Sequence, residues 1–257
     1  MRADVVSLFD RPARWRADAA TSLGLRGPAL AAALSPGPAY PAVLRTIRAA
    51  FPDDVQLIVD VGAGLGGASA WLAASTDAAV VAVEPAAGSR AAARRSFPNL
   101  TVIDGAVDHV PLPDGCADVV TALNVTSLVD DLGPLLGEAD RLLRPGGVLG
   151  IADLFAPGDD IVAAGPNTFR TQPALLQDLA AAGFTATEIA IGPPVPHPRW
   201  QRVATAVDVQ MSALHAGARD RAELRRWRQD QRHLRRAVHD HALVGGCVVA
   251  RAATDPR

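Results

Sequence analysis

The sequence contains no lysine, few aromatic residues and only two cysteines. All 25 basic side chains are arginines, a bias that indicates a GC-rich genome rather than a mechanism. Cys116 and Cys247 are far apart in the sequence and match neither a disulfide framework nor a metal-ligand spacing. The formal net charge of −2 argues against a protein that binds nucleic acid by neutralising phosphates.

Long apolar stretches are also missing. No run approaches the ~18–20 residues that a membrane span needs, and the first twenty residues lack the apolar stretch of a secretory signal peptide. The chain has 257 residues, of which 49% are hydrophobic and 20% charged, so it can bury one large core. We therefore predict a cytoplasmic enzyme made of a single domain, with neither a nucleic-acid nor a membrane partner.

Short apolar runs alternate with alanine-rich helical patterns from residue 55 onward. The runs are rich in Val and Ile, as expected for strands covered on both faces of a parallel sheet. The predicted strands are residues 56–61, 79–84, 100–103, 118–123, 148–153, 185–191 and 243–250. Such alternation predicts βαβ units in an α/β, doubly wound sheet.

Two helical segments flank or interrupt this predicted core, residues 55–192. Proline and glycine breaks in residues 1–54 predict an N-terminal arm of short helices. Residues 193–240 form an insertion before the last strand and tail, 241–257, and contain two helical patterns with Trp200 and Trp227. An insertion of this length more often covers a site than simply joins two strands, so we predict a helical lid.

The most informative motif is a glycine-rich loop between the first predicted strand and the first helix of the core. Residues 59–67 read Val-Asp-Val-Gly-Ala-Gly-Leu-Gly-Gly, which allows the backbone to approach a ligand closely. Gly62, Gly64 and Gly67 fit the GxGxxG dinucleotide fingerprint, and Glu84 follows about twenty residues later. Taken alone, this loop is compatible with a nicotinamide-dependent dehydrogenase.

Asp60 favours a different ligand. A carboxylate at the strand end suits an ammonium group better than a pyrophosphate, which a helix N-terminus attracts. Asp60, Gly62, Gly64 and Gly66, spaced as DxGxGxG, resemble motif I of the class I S-adenosylmethionine (SAM)-dependent methyltransferases. Glu84 resembles the acidic residue with which that family binds both ribose hydroxyls, through charge-assisted hydrogen bonds.

Two more segments match this family in the same order. Residues 110–118 resemble its LPFPDxSFD stretch before the fourth strand, and residues 143–147 resemble its LKPGG turn. The chain is most similar to the small-molecule methyltransferases of ubiquinone and menaquinone biosynthesis. The resemblance covers about residues 56–153. It implies a Rossmann-like sheet of seven strands with the last one antiparallel, SAM as cofactor and S-adenosylhomocysteine (SAH) as product.

The resemblance also implies a set of cofactor-binding residues at the ends of the strands. They are Asp60, Gly62, Ala63, Gly64, Gly66, Glu84, Pro85, Gly105, Ala106, Val107 and Asn124. One position departs from the family, which often has an Asp for the adenine amino group where this chain has Ala106. Adenine is then held by backbone groups of Ala106 and Val107, or by Asp104 or Asp108 after a register shift. No metal is expected.

The histidine pair that many relatives carry after the fourth strand is absent here. A general base is needed only when the acceptor atom is protonated at neutral pH. Our candidates are His197 and Asp153, because both follow strands at the ligand edge of a doubly wound sheet. The alternatives are a structural or solvated histidine and an aspartate that caps a helix or turn.

We expect SAM-dependent methyl transfer to a small-molecule acceptor, in bacterial specialised metabolism. Two other functions remain open. One is a methyltransferase-fold protein that uses bound SAM as a scaffold for a non-methylating reaction such as a cyclisation. The other is a non-catalytic partner subunit. Neither the acceptor atom nor the choice between monomer and homodimer can be read from these residues.

Overall fold

The computed structural model describes residues 3–35, 41–158, 162–164, 166–192, 198–217 and 220–254. Its largest element is a sheet whose seven strands lie in the order β3-β2-β1-β4-β5-β9-β8. β9 is antiparallel to both of its neighbours, β5 and β8, and the other pairs in this sheet are parallel, so the predicted fold is confirmed. The strands are β1 (Leu57–Val61), β2 (Ala79–Val83), β3 (Thr101–Ile103), β4 (Ala117–Leu123), β5 (Leu143–Phe155), β8 (Thr185–Gly192) and β9 (Val244–Arg251).

Helices cover both faces of the sheet. On one face lie α3 (Ala42–Ala49), α4 (Gly67–Ser75) and α5 (Ala87–Ser96), and on the other lie α6 (Gly133–Leu142) and α7 (Gln172–Ala181). Ile58 of β1 packs with Ile47 and Leu72 of the first group. Its neighbour Val59 packs with Leu135 of the second. Because successive side chains of a strand point to opposite faces, burial on both faces accounts for the unbroken apolar runs.

The N-terminal arm differs from the prediction of short helices. It begins with α1 (Ala3–Ser22), a continuous helix of 20 residues that includes Pro12. Trp15 and Ala19 of α1 are buried against the neighbouring helices. This tertiary packing keeps the helix intact, although proline removes one helical hydrogen bond. The predicted Gly27-Pro28 break lies at the start of α2 (Gly27–Ala33), where proline is well tolerated.

The predicted insertion contains α8 (Pro198–Leu214) and α9 (Arg221–His239), between β8 and β9. Val207 and Met211 of α8 are fully buried in a cluster with residues of α1 and α2. In α9, Leu224 is the one buried side chain among the described residues, and most of its arginines are exposed. We call α1, α2, α8 and α9 the helical cover.

A small hairpin after β5 was not predicted. It consists of β6 (Val162–Ala164) and β7 (Asn167–Phe169), and β7 lies beside a short 3-10 turn, Thr126–Leu128, that follows β4. The sequence Thr171-Gln-Pro predicts a helix start, with threonine as the N-cap and proline in the first turn. α7 begins there, and the Thr171 hydroxyl accepts a hydrogen bond from the Ala174 N–H at 3.2 Å. No helix in the described ranges is both long and apolar enough to cross a membrane.

Candidate functional site

The glycine loop turns sharply at the carboxyl end of β1. Gly62, Gly64 and Gly66 have φ values of 72°, 55° and 74°, in the left-handed region that glycine enters without strain. The N–H groups of Gly62 and Ala63 both donate to the Val83 carbonyl, at 2.8 and 2.9 Å. The loop is therefore fixed to the end of β2 by its own backbone.

Gly62 and Gly64 have different surroundings. A Cβ at Gly62 would lie 2.5 Å from Cγ2 of Val125, in the loop after β4. A Cβ at Gly64 would have no neighbouring atom within 4 Å. Gly62 thus permits close packing between two loops, whereas Gly64 lies on the open side of the cleft.

Glu84 supports the loop from the end of β2. Its carboxylate accepts hydrogen bonds from the N–H groups of Gly64 and Ala86, each at 2.8 Å. Burial raises the pKa of Glu84, and these two N–H groups oppose the shift. A carboxylate has about four lone-pair sites, so two acceptor positions remain. Those acceptor positions fit two vicinal hydroxyls of a ribose, which would donate to them. Arg90 donates to the Glu84 and Pro85 carbonyls at 2.8 and 2.6 Å.

Asp60 has both carboxylate oxygens engaged inside the protein. Thr121 of β4 donates to Oδ1 at 2.7 Å, and Ser69 of α4 donates to Oδ2 at 2.5 Å. Burial raises the pKa of Asp60 to about 6, against the effect of these two hydroxyls. The sequence did not lead us to Ser69 or Thr121, although a threonine in an otherwise apolar strand is a usable signal.

The segment predicted to hold adenine forms a tight turn after β3. Ala106 and His109 exchange backbone hydrogen bonds at 2.9 and 3.0 Å, so the turn itself uses the N–H and C=O groups of Ala106. Asp104 is exposed and forms an ion pair with Arg90 at 2.9 Å. Among the predicted adenine contacts, these interactions leave the Val107 backbone for a ligand, and the Asp108 side chain is exposed.

Asn124 ends β4 at the same edge of the sheet. It has a φ of 59°, which non-glycine residues seldom adopt and which often marks a functional loop. Its N–H donates to the Ala152 carbonyl at 2.6 Å, so the strain is held by the adjacent strand β5. The next residue, Val125, packs closely against Gly62. Asn124 therefore lies at the point where the loop after β4 meets the glycine loop.

Asp153 lies at the edge but faces into the protein. Its Oδ2 accepts from the Thr126 hydroxyl and the Ser127 N–H, both at 2.8 Å. Its Oδ1 accepts from the Ser127 hydroxyl at 3.1 Å and the Leu154 N–H at 2.8 Å. Burial raises the pKa of Asp153, and these donors oppose the shift. Asp153 thus fixes the turn after β4, while its catalytic role stays a prediction. His197 lies outside the described residues.

Arg170 holds the same turn from the other side, and sequence reasoning missed it. Its guanidinium donates to the carbonyls of Thr126, Val129 and Asp130 at 2.6, 2.9 and 2.8 Å. Only 7% of the residue is exposed. The sequence around Arg170 gave no indication of this role, because its hydrogen bonds reach residues about forty positions earlier in the chain.

A cavity of about 490 Å³ lies beyond this turn, between α1, β7 and α9. We call it the α1–α9 cavity. It is lined by Leu8, Phe9, Pro12, Pro166, Asn167, Ala222, Glu223, Arg226, Trp227, Asp230, Gln231, His233 and Leu234. Its volume lies within the usual range for small-molecule sites, about 300–1,000 Å³.

Known methyltransferases are similar to part of this chain. Residues 59–151 match the family model described as "Methyltransferase domain". The chain is 34% identical over 134 residues to a dimethylglycine N-methyltransferase of Parasynechococcus marenigrum, covering 48% of this chain and 46% of that protein. It is 31% identical over 122 residues to methyltransferase GfsG of Streptomyces halstedii, covering 44% of each. The chain thus spans less than half the length of these curated relatives.

Solved structures share the fold over most of the chain. The [4+2]-cyclase SpnF has a TM-score of 0.66 at 18% identity, covering 82% of this chain and 80% of its own. A protein from Galdieria sulphuraria, described as a putative sarcosine dimethylglycine methyltransferase, has a TM-score of 0.63 at 17% identity, covering 78% and 79%. Residues 59–151 of the core thus match a methyltransferase-domain model, and these solved structures share the fold of most of the chain.

Proposed function

We propose that this protein binds SAM at the glycine loop and transfers its methyl group to a small-molecule acceptor. The observation that carries the proposal is the arrangement of Glu84, whose carboxylate contacts the Gly64 N–H and keeps two acceptor positions for ribose hydroxyls. SAM supplies an electrophilic methyl group on a positively charged sulfur, and the acceptor supplies the electron pair. A cytoplasmic location and a role in bacterial specialised metabolism are parts of the same proposal.

The protein's own residues are proposed to position the reactants. Gly62, Ala63, Gly64 and Gly66 shape the cleft. Asp60, which accepts from Thr121 of β4 and Ser69 of α4, stays the candidate carboxylate for the ammonium group of SAM. Pro85 is fixed beside Glu84 by Arg90. Correct placement of reacting groups can lower a barrier by about 7–11 kcal/mol in favourable cases, so rigid loops are well suited to this task.

Adenine and methionine contacts complete the proposed cofactor site. Gly105 and Val107 face adenine, with Ala106 holding the turn through His109. Asn124 presents backbone to the methionine part, at the end of β4. If the acceptor needs deprotonation, His197 and Asp153 remain the candidate bases. The buried hydrogen bonds of Asp153 favour its alternative role, the positioning of the Thr126–Leu128 turn.

The helical cover is proposed to close the site over bound reactants. Leu65 of the glycine loop is buried in one cluster with Trp15 of α1 and with Val207 and Met211 of α8. This cluster connects the predicted arm and lid directly to the loop that holds the cofactor. Covers of this kind exclude water and often become ordered when ligands bind.

Isothermal titration calorimetry with SAH, SAM and NAD tests the cofactor assignment. We expect SAH and SAM to bind and NAD not to bind. Glu84→Gln should weaken SAH binding by about tenfold or more, because it removes a charged hydrogen-bond acceptor. Glu188→Gln is the matched control, since Glu188 is exposed on β8, and its SAH affinity should equal that of the wild type. Binding of NAD without SAH contradicts the proposal.

A second candidate function is a non-methylating reaction that uses bound SAM as a scaffold. Its support is the likeness in fold to a structure described as a [4+2]-cyclase, together with an Asp153 whose oxygens already accept four hydrogen bonds. Mass spectrometry of a reaction with the acceptor separates the two candidates. Methyl transfer adds one CH2 unit to the acceptor and releases SAH, whereas a scaffold reaction does neither.

A further inference from the structure

The α1–α9 cavity has an apolar lining from two sides. Phe9 and Pro12 of α1 lie on one side, and Trp227 and Leu234 of α9 lie on the other. The chain is poor in aromatic residues, at 4%, so a tryptophan and a phenylalanine in one cavity are a notable local enrichment. Apolar and aromatic walls with a few polar groups are typical of small-molecule sites.

One polar group of the cavity has its orientation fixed by chemistry. Ser127 donates its hydroxyl proton to the Asp153 carboxylate at 3.1 Å, since a carboxylate can only accept. The Ser127 oxygen must therefore accept from Asn167, whose Nδ2 lies 3.0 Å away. This places the amide NH2 of Asn167 towards Ser127. Within the described part of the chain, Oδ1 of Asn167, a residue that lines the cavity, is the amide atom that can accept from a ligand.

Charges in the cavity wall offset one another. Glu223 forms an ion pair with Arg11 of α1 at 2.6 Å, so its charge is already compensated. Arg226 and Asp230 both line the cavity and are one helical turn apart on α9, where opposite charges partly cancel. A strongly anionic or cationic ligand would find no net opposite charge here.

We propose that the α1–α9 cavity is the acceptor site, and that it takes an uncharged molecule with an apolar body and a hydroxyl group that donates to Oδ1 of Asn167. Calling this ligand the acceptor rests on the proposed methyltransferase function. Asn167 is then a specificity-determining residue held in place by Ser127 and Asp153. The turn that these residues fix follows Asn124 and Val125 directly in the chain, at the end of β4.

The test uses the full chain saturated with SAH and three probes that share one ring system: naphthol, its methyl ether and naphthoate. Calorimetry on the wild type should show naphthol binding about fivefold to tenfold more tightly than the ether, since only naphthol donates a hydrogen bond. Naphthoate should bind more weakly than naphthol because its charge finds no partner. Absence of naphthol binding, equal binding of naphthol and ether, or a preference for naphthoate overturns the proposal.

Three variants test whether Asn167 causes the preference for naphthol over its methyl ether. Asn167→Ala should abolish the difference between naphthol and its ether and leave SAH affinity unchanged. Asn99→Ala, on an exposed loop after α5, should keep the difference. Trp227→Ala, on the surface helix α9, provides a second measurement if the Asn167 variant does not fold. It should weaken both probes about tenfold by removing an aromatic wall, and unchanged affinity overturns the proposal.

The outcome for the cavity can be separated from that for the proposed function. A wild-type protein that prefers naphthol to its ether but binds no SAH retains the cavity site and contradicts the cofactor assignment. One that binds SAH but shows no hydroxyl preference overturns the cavity proposal alone. Asn167→Ala with normal SAH affinity and an intact hydroxyl preference overturns the role of Asn167.

Discussion

The ligand edge of the sheet and the helical cover are stabilised by different interactions. At the edge, Asp60, Glu84 and Asp153 are buried carboxylates that accept hydrogen bonds from fixed N–H groups or short hydroxyl side chains. In the cover, α9 buries Leu224 alone among its described residues, and the Arg11–Glu223 ion pair between α1 and α9 is partly exposed. The edge is therefore rigid before any ligand arrives, whereas the cover can adjust to one.

This difference has an energetic consequence. Leaving a buried polar group unsatisfied costs about 1–3 kcal/mol, but an exposed ion pair is worth only about 0–1 kcal/mol. We therefore expect substitutions at the edge to change both stability and cofactor affinity. Substitutions of polar side chains in the cover should act more weakly on stability and leave cofactor affinity intact.

The largest effect is expected for Gly62→Ala. The new methyl group would meet Val125 at a residue with positive φ, which combines overpacking with backbone strain. We expect a loss of about 2–4 kcal/mol in the free energy of unfolding. Gly64→Ala has the same backbone strain without the clash, so it should lose only about 1 kcal/mol. Urea unfolding of both variants measures the difference.

The affinity for SAH should distinguish Gly64 from a turn glycine that lies outside the proposed cofactor site. Gly64→Ala should weaken SAH binding more than tenfold, because its methyl group would project into the open side of the cleft. Gly24→Ala is the matched control, since Gly24 also has a positive φ, of 64°, and no atom within 4 Å of an added Cβ. It lies after α1, away from the loop. Similar SAH affinities for these two variants contradict the placement of the cofactor.

The second prediction concerns the pH dependence contributed by Asp60. Its folded-state pKa of about 6 lies above the unfolded value of 3.8, so between these values the folded protein binds a proton that the unfolded chain does not. This contribution stabilises the fold as the pH falls from about 6 to 4, and it is absent above that window. Asp60→Asn removes the titration but keeps the shape.

The stability difference between Asp60→Asn and the wild type should therefore shift with pH. The variant should lose, relative to the wild type, at most about 3 kcal/mol between pH 7 and pH 4. Glu84 and Asp153 titrate in both proteins, so their contributions cancel in the difference. Denaturant unfolding at several pH values measures it. A difference that stays constant across this range shows that the Asp60 carboxyl does not titrate there.

Features that depend on local sequence could be predicted, whereas contacts between distant segments could not. The glycine loop, Glu84 and the Thr171 cap depend on local spacing, because each acts within one turn or at the end of one strand. The Asn167–Ser127 and Arg170–Thr126 contacts join residues about forty positions apart, so no local pattern records them.

Helix α1 is a second case in which tertiary contacts changed the outcome that local sequence predicted. Proline and glycine breaks predicted short helices, yet α1 continues through Pro12. Its buried Trp15 and its contact with α5, where Asp10 accepts from the Ser89 N–H at 3.0 Å, are tertiary interactions. Local propensity is a weak guide when packing of this kind opposes it.

The smallest effect is expected for Asp208→Asn in the cover. Asp208 of α8 pairs with Arg16 of α1 at 3.0 Å and with Arg235 of α9, so one carboxylate joins three helices. Arg16 is 9% exposed but also donates to the Ala33 carbonyl at 2.6 Å, which keeps it partly satisfied after the change. Because asparagine keeps an amide oxygen that can accept from Arg16, we expect a loss of about 1 kcal/mol in the free energy of unfolding.

Local measurements show whether this loss is confined to the cover. Hydrogen exchange should become faster in α8 and α9 of Asp208→Asn, while SAH affinity and exchange in β1 and β4 stay at wild-type values. Asp77→Asn, an exposed aspartate before β2, is the control and should change neither. An equal fall in SAH affinity would mean that the cover and the edge form one cooperative unit. Since Leu65 packs with both, that residue would then be the connection through which the cover acts on the glycine loop.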